Sequence, residues 1–179
     1  IRELEKPVTD GEVYLEVNGA AMTAVIYLNG QKLAVHTGGF SAFRVNLTEH
    51  LKAKNTLAIS VDNSDNDTVY PQKADFTFYG GIYRNVNLIV VPKEHFELDY
   101  CGTPGIKVTP TVDIENKSAV VTVETWQNAE EVHVTVDGQS KTVASVDGHA
   151  VAEFKIENVH LWDGLDDPYL YTAKASLTS

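Results

Sequence analysis

The fold class is indicated by the stretch Ala24-Val25-Ile26-Tyr27-Leu28-Asn29-Gly30-Gln31-Lys32-Leu33-Ala34-Val35-His36. Asn29-Gly30 separates two short segments, Ala24–Leu28 and Gln31–His36, that are rich in apolar and β-branched residues. An Asn-Gly pair favours a type I′ turn, because that turn needs positive φ at both of its central residues. The stretch therefore predicts a β-hairpin.

Outside this hairpin, apolar residues recur at every second position, which places them on one face of an extended chain. The segments with this pattern are Glu12–Val17, Thr56–Val61, Asn85–Val91, Phe96–Tyr100 and Val132–Val136. Asp137-Gly138 and Asp147-Gly148 are further turn signals. The one helical candidate is a single turn at Thr48–Leu51, which Thr48 is expected to cap. Short strands with frequent turns predict an all-β fold of the sandwich or barrel type.

A domain boundary is predicted near Pro92, which follows an apolar strand and interrupts its hydrogen-bond ladder. The predicted domains are residues 1–92 and 93–179. Each has the size of one small β-sandwich.

Composition narrows the possible functions. The 179 residues contain 43% hydrophobic side chains and carry a net charge of −11. A nucleic-acid or anionic-membrane partner is not expected, because the densest basic spot is only Lys52 and Lys54. The single Cys101 can form neither an intramolecular disulfide nor a thiolate metal site by itself. No compartment is indicated by the residues.

Four motifs together carry a family likeness. They are Val25–Leu33 followed by His36-Thr37-Gly38-Gly39-Phe40, Asn55–Asn63, Asp75-Phe76-Thr77-Phe78-Tyr79-Gly80-Gly81-Ile82-Tyr83-Arg84-Asn85-Val86, and Leu161-Trp162 with Asp167-Pro168-Tyr169-Leu170-Tyr171. In this order they resemble the first two domains of glycoside hydrolase family 2, which includes β-galactosidases and β-glucuronidases. The resemblance implies a jelly-roll, galactose-binding-like β-sandwich over 1–92, followed by an immunoglobulin-like β-sandwich over 93–179.

The same resemblance implies that this segment is non-catalytic. One or two strands of the first domain are expected to precede Ile1, and the second domain to continue past Ser179. The segment is expected to pack on a C-terminal (β/α)8 barrel of a retaining exo-β-glycosidase, with a β-galactosidase favoured. The implied partners are a carbohydrate of the β-galactoside type, through the full enzyme, and a further copy in a possible homo-oligomer. No cofactor is expected in this segment.

Asp75 is the candidate substrate-binding residue. In related galactosidases and glucuronidases, the Asp at this motif position reaches the barrel and contacts the sugar. A carboxylate suits that role because it can accept two hydrogen bonds from sugar hydroxyls. The alternative is an Asp that only caps a turn after Lys73-Ala74. The long unpatterned segment Ser64–Tyr79 is typical of a functional loop.

Gly80, Gly81, Tyr83 and Arg84 belong to the same motif and are interpreted as structural. The two glycines are expected to allow a sharp turn into the following strand, as Gly38 and Gly39 are at their own turn. Arg84 is expected to pair with a carboxylate between domains.

No catalytic residue and no metal site is assigned. The acidic pairs Glu130-Glu131, Asp166-Asp167 and Asp65 with Asp67 are interpreted as solvated charges. Asp62–Asp67 resembles a calcium loop superficially, but it lacks the sixth-position glycine and the terminal glutamate. A polar loop is the preferred interpretation, and metal binding there stays open.

Two other functions stay open at this point. One is a free-standing carbohydrate-binding module, for which Trp126 and Trp162 are candidate stacking platforms, although packing roles are preferred for both. The other is a structural pair of β-sandwiches that mediates oligomer contacts.

Overall fold

The computed structural model describes residues 1–69, 74–100 and 102–177. Within them the chain is all-β, with fifteen strands and one short 3₁₀ turn at Thr48–His50. It divides into two compact units, Ile1–Lys93 and Glu94–Ser179. Among the described residues, no helix is long and apolar enough to cross a membrane.

The first unit contains nine strands. They are β1 (Arg2–Glu5), β2 (Glu12–Val17), β3 (Ala20–Ala21), β4 (Thr23–Leu28), β5 (Gln31–Thr37), β6 (Phe43–Asn46), β7 (Lys54–Asp62), β8 (Gly81–Ile82) and β9 (Val86–Val91). Two antiparallel sheets, in the orders β1-β7-β4-β5 and β6-β2-β9, form the sandwich, and β3 pairs with β8. Most buried apolar residues of this unit form one core, made of Val13, Leu15, Val17, Ala20, Ala24, Ile26, Leu28, Phe43, Leu47, Leu51 and Leu57.

The second unit contains six strands. They are β10 (Ile106–Asp113), β11 (Ser118–Trp126), β12 (Glu131–Val136), β13 (Gln139–Ala144), β14 (His149–Glu157) and β15 (Ala173–Leu177). They form two antiparallel sheets, in the orders β10-β11-β14 and β13-β12-β15. Its separate core is Val121, Val123, Val132, Val134, Val136, Ala150, Ala152, Phe154 and Ile156. Two sandwiches, each with its own core, therefore make up the described chain.

The turn predictions are confirmed at all three Asn-Gly or Asp-Gly pairs. Asn29 and Gly30 have φ of 53° and 82° between β4 and β5. Asp137 and Gly138 have φ of 48° and 74°, and Asp147 and Gly148 have φ of 52° and 78°. Positive φ at both central residues is the geometry that a type I′ turn requires.

Two local predictions are wrong. The predicted strand at Phe96–Tyr100 is only an isolated bridge between Phe96 and Gln127. Thr48 does not cap the 3₁₀ turn, whose N-cap is Leu47 without a side-chain hydrogen bond. The Thr48 hydroxyl instead donates to Asn46 and accepts the backbone N–H of Val13, so it serves the strand β2 and not the turn.

Candidate functional site

The candidate site lies on the segment between β7 and β8 of the first unit. Its described residues form neither helix nor strand. Asp75 is exposed in this segment, and within the described part of the chain no hydrogen bond or ion pair engages its carboxylate. The side chain is therefore available to a ligand or to another protein surface.

Aromatic side chains follow Asp75 directly. The rings of Phe76 and Phe78 lie 4.8 Å apart at an angle of 38°. Phe76 is 59% exposed and Tyr79 is 79% exposed. Exposed aromatic rings beside a free carboxylate form a surface that can pack on a sugar face or on an apolar protein surface.

Buried contacts hold the first part of this segment against β3 and β4. Val69 is buried with Ala21 and Met22 in a small cluster of its own. Asn66 donates from Nδ2 to the Thr23 hydroxyl at 3.2 Å, while its Oδ1 accepts the backbone N–H of Thr68 at 2.9 Å. The segment is thus tied to the sandwich before it reaches the residues that lie outside the described ranges.

Asn63 and Gly80 hold the other end of the segment. Asn63 Nδ2 donates to the Phe78 carbonyl at 3.5 Å. A Cβ atom on Gly80 would lie 2.6 Å from Asn63 Cγ, closer than real Cβ contacts allow. Gly80 was predicted to supply turn freedom, but its φ is not positive. The close neighbour of Gly80 is the exposed side chain of Asn63, which can turn aside.

Gly81 does need the freedom that the sequence predicts. Its φ is +94°, in the region that L side chains disfavour, and a Cβ atom there would meet nothing within 4 Å. Gly38 has φ of +133° at the other predicted turn, whereas Gly39 is confined by Ala21, whose Cα would lie 3.3 Å from a Cβ on Gly39.

Tyr83 joins this motif to two other turns. Its hydroxyl donates to the Gly39 carbonyl at 2.5 Å, and its backbone N–H donates to the Gly19 carbonyl at 3.3 Å. A Cβ on Gly19 would lie 2.8 Å from Tyr83 Cζ, so the ring occupies space that only a glycine leaves. The Arg84 guanidinium carbon lies 5.4 Å from the Tyr83 ring centroid. Within the described residues Arg84 has no ion pair, and its pairing between domains stays a prediction.

Sequence reasoning assigned no role to Asn63 and Gly19, which lie against Gly80 and Tyr83. The signal available for Gly19 was the Asn18-Gly19 dipeptide that follows strand β2. Asn63 ends the family motif Asn55–Asn63, but the motif by itself gives Asn63 no contact with Gly80.

The polar loop at Asp62–Asp67 is organised by local hydrogen bonds. Asp62 Oδ1 accepts the backbone N–H of Ser64 at 2.8 Å, and this bond lowers the pKa of the Asp62 carboxyl. Within the described ranges, no group of three His, Cys, Asp or Glu residues is placed to hold a metal ion. The polar-loop interpretation stays a prediction.

The two tryptophans of the second unit differ in their surroundings. Trp126 has the Tyr100 ring stacked on it at 3.7 Å and the His149 ring at 4.9 Å, which favours a packing role. Trp162 is 63% exposed. Its packing role, in the core or between domains, stays a prediction.

Comparison with protein-family models identifies both halves of the chain. Residues 3–92 match the model described as "Glycosyl hydrolases family 2, sugar binding domain", and residues 104–179 match "Glycosyl hydrolases family 2". The chain belongs to glycosyl hydrolase family 2. The family resemblance expected from the motifs around Asn29-Gly30 and Gly81–Arg84 is thereby confirmed.

Family 2 relatives carry two kinds of name. A β-glucuronidase of Bacteroides fragilis is 28% identical over 92% of this chain and 26% of the relative. A β-galactosidase of Thermoanaerobacter pseudethanolicus is 26% identical over 93% of this chain and 24% of the relative. The chain therefore spans about a quarter of the length of these curated relatives.

Solved structures of family 2 enzymes share the fold. The crystal structure of an FMN-binding β-glucuronidase from Faecalibacterium prausnitzii L2-6 superposes with a TM-score of 0.85 at 38% identity. The match covers 99% of this chain and 29% of that structure. The all-β architecture of jelly-roll and immunoglobulin-like sandwiches is thus that of the corresponding part of a family 2 enzyme.

Proposed function

We propose that the chain is the non-catalytic front part of a retaining exo-β-glycosidase, in which the first unit completes the substrate pocket with Asp75. The observation that carries the proposal is the match of residues 3–92 to the sugar-binding domain of family 2. The exposed Asp75 supports it, because the segment around Asp75 is held on both sides. Asn66 and Val69 contact the sandwich before Asp75, and Asn63 bonds to the Phe78 carbonyl after it.

The chemistry assigns different tasks to this chain and to the rest of the enzyme. Retaining hydrolysis needs two carboxyl groups about 5–5.5 Å apart, one as nucleophile and one as acid and base. We place that pair on a (β/α)8 barrel in the parent polypeptide and assign no catalytic residue to this chain. Asp75 would accept hydrogen bonds from sugar hydroxyls, which orients the substrate without forming or breaking a bond.

The proposed substrate is a terminal β-glycoside, with a β-galactoside preferred to a β-glucuronide. The preference rests on the residues Tyr70–Asp75, of which Tyr70–Lys73 lie outside the described residues. The relatives carry both names. The ratio of kcat/KM for nitrophenyl β-galactoside to that for nitrophenyl β-glucuronide, measured on the parent enzyme, distinguishes the two substrates.

Because the catalytic carboxylates are placed outside this chain, the 179-residue chain by itself should hydrolyse neither nitrophenyl glycoside. Its parent should hydrolyse at least one. The assay follows nitrophenol release at equal molar concentrations of the two proteins. Turnover by the isolated chain, at a rate that survives further purification, would show that the catalytic carboxylates lie within it.

Sugar binding without catalysis is the second candidate function. The exposed Phe76 and Tyr79 beside Asp75 favour it, since aromatic rings with polar neighbours are suited to sugar faces. Calorimetric titration of the isolated chain with galactose and with glucuronic acid distinguishes a free-standing sugar-binding module from a part of a larger pocket. Binding heats from the chain alone support a free-standing module, and their absence supports a pocket that needs the barrel.

A further inference from the structure

Three polar side chains are enclosed in the second unit without a hydrogen-bond partner. They are Thr125, Gln127 and Ser145; His149 Nε2 is also enclosed without a hydrogen bond, but it lies 3.6 Å from Glu124 Oε1. Thr125 and Gln127 are both 0% exposed. Both side-chain polar atoms of Gln127 and both hydroxyl oxygens are shielded from solvent and bond to no described residue.

The backbone brings these side chains to one end of the sandwich. Gln127 follows the last residue of β11, and Ser145 follows the last residue of β13. The end of β13 pairs with the start of β12, because Ala144 lies opposite Glu131. The backbone N–H of Gln127 donates to the Gly148 carbonyl at 2.9 Å, just before β14. The β11–β12 and β13–β14 connections, which cross between the two sheets, therefore meet at this end.

Thr125 belongs to the same group. It lies opposite Ala150 in the pairing of β11 with β14. Residues two apart in an extended chain share a face, so Thr125 and Gln127 project to the same side, as does Val123 of the core. The Thr125 hydroxyl and the Gln127 amide thus lie on the same face of β11 and the residue that follows it.

An enclosed amide without partners is costly, because it has given up its hydrogen bonds to bulk water and gained none. A glutamine side chain offers two N–H donors and two acceptor lone pairs, and each hydroxyl can donate or accept. Folded proteins satisfy such groups with buried water, which typically makes about three hydrogen bonds and persists as part of the structure. Apolar walls alone would leave the groups unpaired.

We infer that this end of the second sandwich is a binding site for ordered internal water, which bridges the Gln127 amide to the hydroxyls of Thr125 and Ser145. The site lies beneath the segment that opens the second unit. Phe96 bridges to Gln127, and the backbone N–H of Glu97 donates to the Trp126 carbonyl at 2.8 Å. The bound water would therefore support the backbone on which this opening segment lies.

Oxygen-17 relaxation dispersion of water in a solution of the 179-residue chain tests the inference, because its amplitude reports long-lived internal water and not exchanging hydroxyl protons. In Gln127→Leu the dispersion amplitude should fall by the contribution of at least one water molecule. In Thr125→Val the amplitude should also fall. Gln31→Leu, at the exposed first residue of β5, serves as the control and should match the wild type.

Circular dichroism establishes first that each variant is folded. If Gln127→Leu does not fold, the nearly isosteric Thr125→Val decides the question alone. Dispersion amplitudes of the folded variants equal to that of the wild type would overturn the inference. This outcome is independent of the glycosidase proposal, which concerns Asp75 and the first unit.

Discussion

Tyr83 shows at the scale of one residue how the first unit holds its candidate site. The hydroxyl bonds to Gly39, the backbone N–H bonds to Gly19, and the ring lies against the Gly19 backbone. Three turns that are distant in sequence therefore meet on one side chain. Asp75 itself has no such contacts among the described residues, as expected of a group that acts on a ligand.

Tyr83→Phe removes only the hydroxyl and leaves the buried Gly39 carbonyl without its donor. We expect the free energy of unfolding to fall by about 0.5–1.5 kcal/mol, the usual contribution of one hydrogen bond. Urea denaturation of the 179-residue chain measures it. Tyr79→Phe is the matched control, because Tyr79 is 79% exposed; equal stabilities of the two variants would contradict the structural role of Tyr83.

His36 gives the first unit a pH dependence. Burial lowers the pKa of His36, although a backbone hydrogen bond with Gly38 partly opposes the shift, and the ring stacks on Phe43 at 4.1 Å. The unfolded chain therefore binds a proton at this site at a higher pH than the folded chain does. The resulting stability is present above the ordinary histidine pKa of about 6.5 and is lost as pH falls through the lowered value.

The corresponding experiment compares wild type with His36→Gln in urea at pH 8 and at pH 5. The wild type should lose more unfolding free energy between these values than the variant, since the variant lacks this titration. The comparison cancels the contribution of the other five histidines. An equal loss in both proteins would show that His36 titrates alike in the folded and unfolded chains.

At the scale of elements, the sequence predicts what depends on local chemistry. Asn29-Gly30, Asp137-Gly138 and Asp147-Gly148 form their turns because the required φ values are a property of the residues themselves. The Phe96–Tyr100 strand fails because alternation alone cannot supply a partner strand, and only Phe96 finds one. Strand β10 was not predicted, since Pro110 interrupts its pattern; the proline is accommodated because β10 is an edge strand.

Gly105 and Gly138 of the second unit have similar backbone conformations but different surroundings. Their φ values are +73° and +74°, but a Cβ on Gly105 would lie 2.7 Å from the Glu97 carbonyl oxygen, whereas one on Gly138 would meet nothing. Gly138→Ala should cost about 1–2 kcal/mol of unfolding free energy, from left-handed backbone strain alone.

Gly105→Ala should cost clearly more than Gly138→Ala, because the clash adds to the same strain. Urea denaturation followed by tryptophan fluorescence reports both, since Trp126 lies in the second unit. Equal costs would mean that the backbone around Gly105 can move aside, and that the contact with Glu97 does not constrain the opening segment.

At the scale of the whole molecule, two separate cores account for two β-sandwich units. Strand periodicity predicts this class without any family knowledge. The family assignment needs the motif set as a whole, because no single piece of it is specific. The contacts that position the site, such as Asn63 against Gly80, depend on long-range packing, so the sequence alone could not predict them.

The most direct measurement is the kinetics of Asp75→Ala in the full-length parent enzyme. If Asp75 completes the pocket, kcat/KM should fall about 10- to 100-fold, the equivalent of about 1.5–3 kcal/mol for a hydrogen bond to a charged group. Asp65→Ala is the control, an exposed carboxylate on the same loop, and should leave kcat/KM unchanged. An Asp75→Ala enzyme with wild-type kcat/KM on both nitrophenyl glycosides would contradict the account.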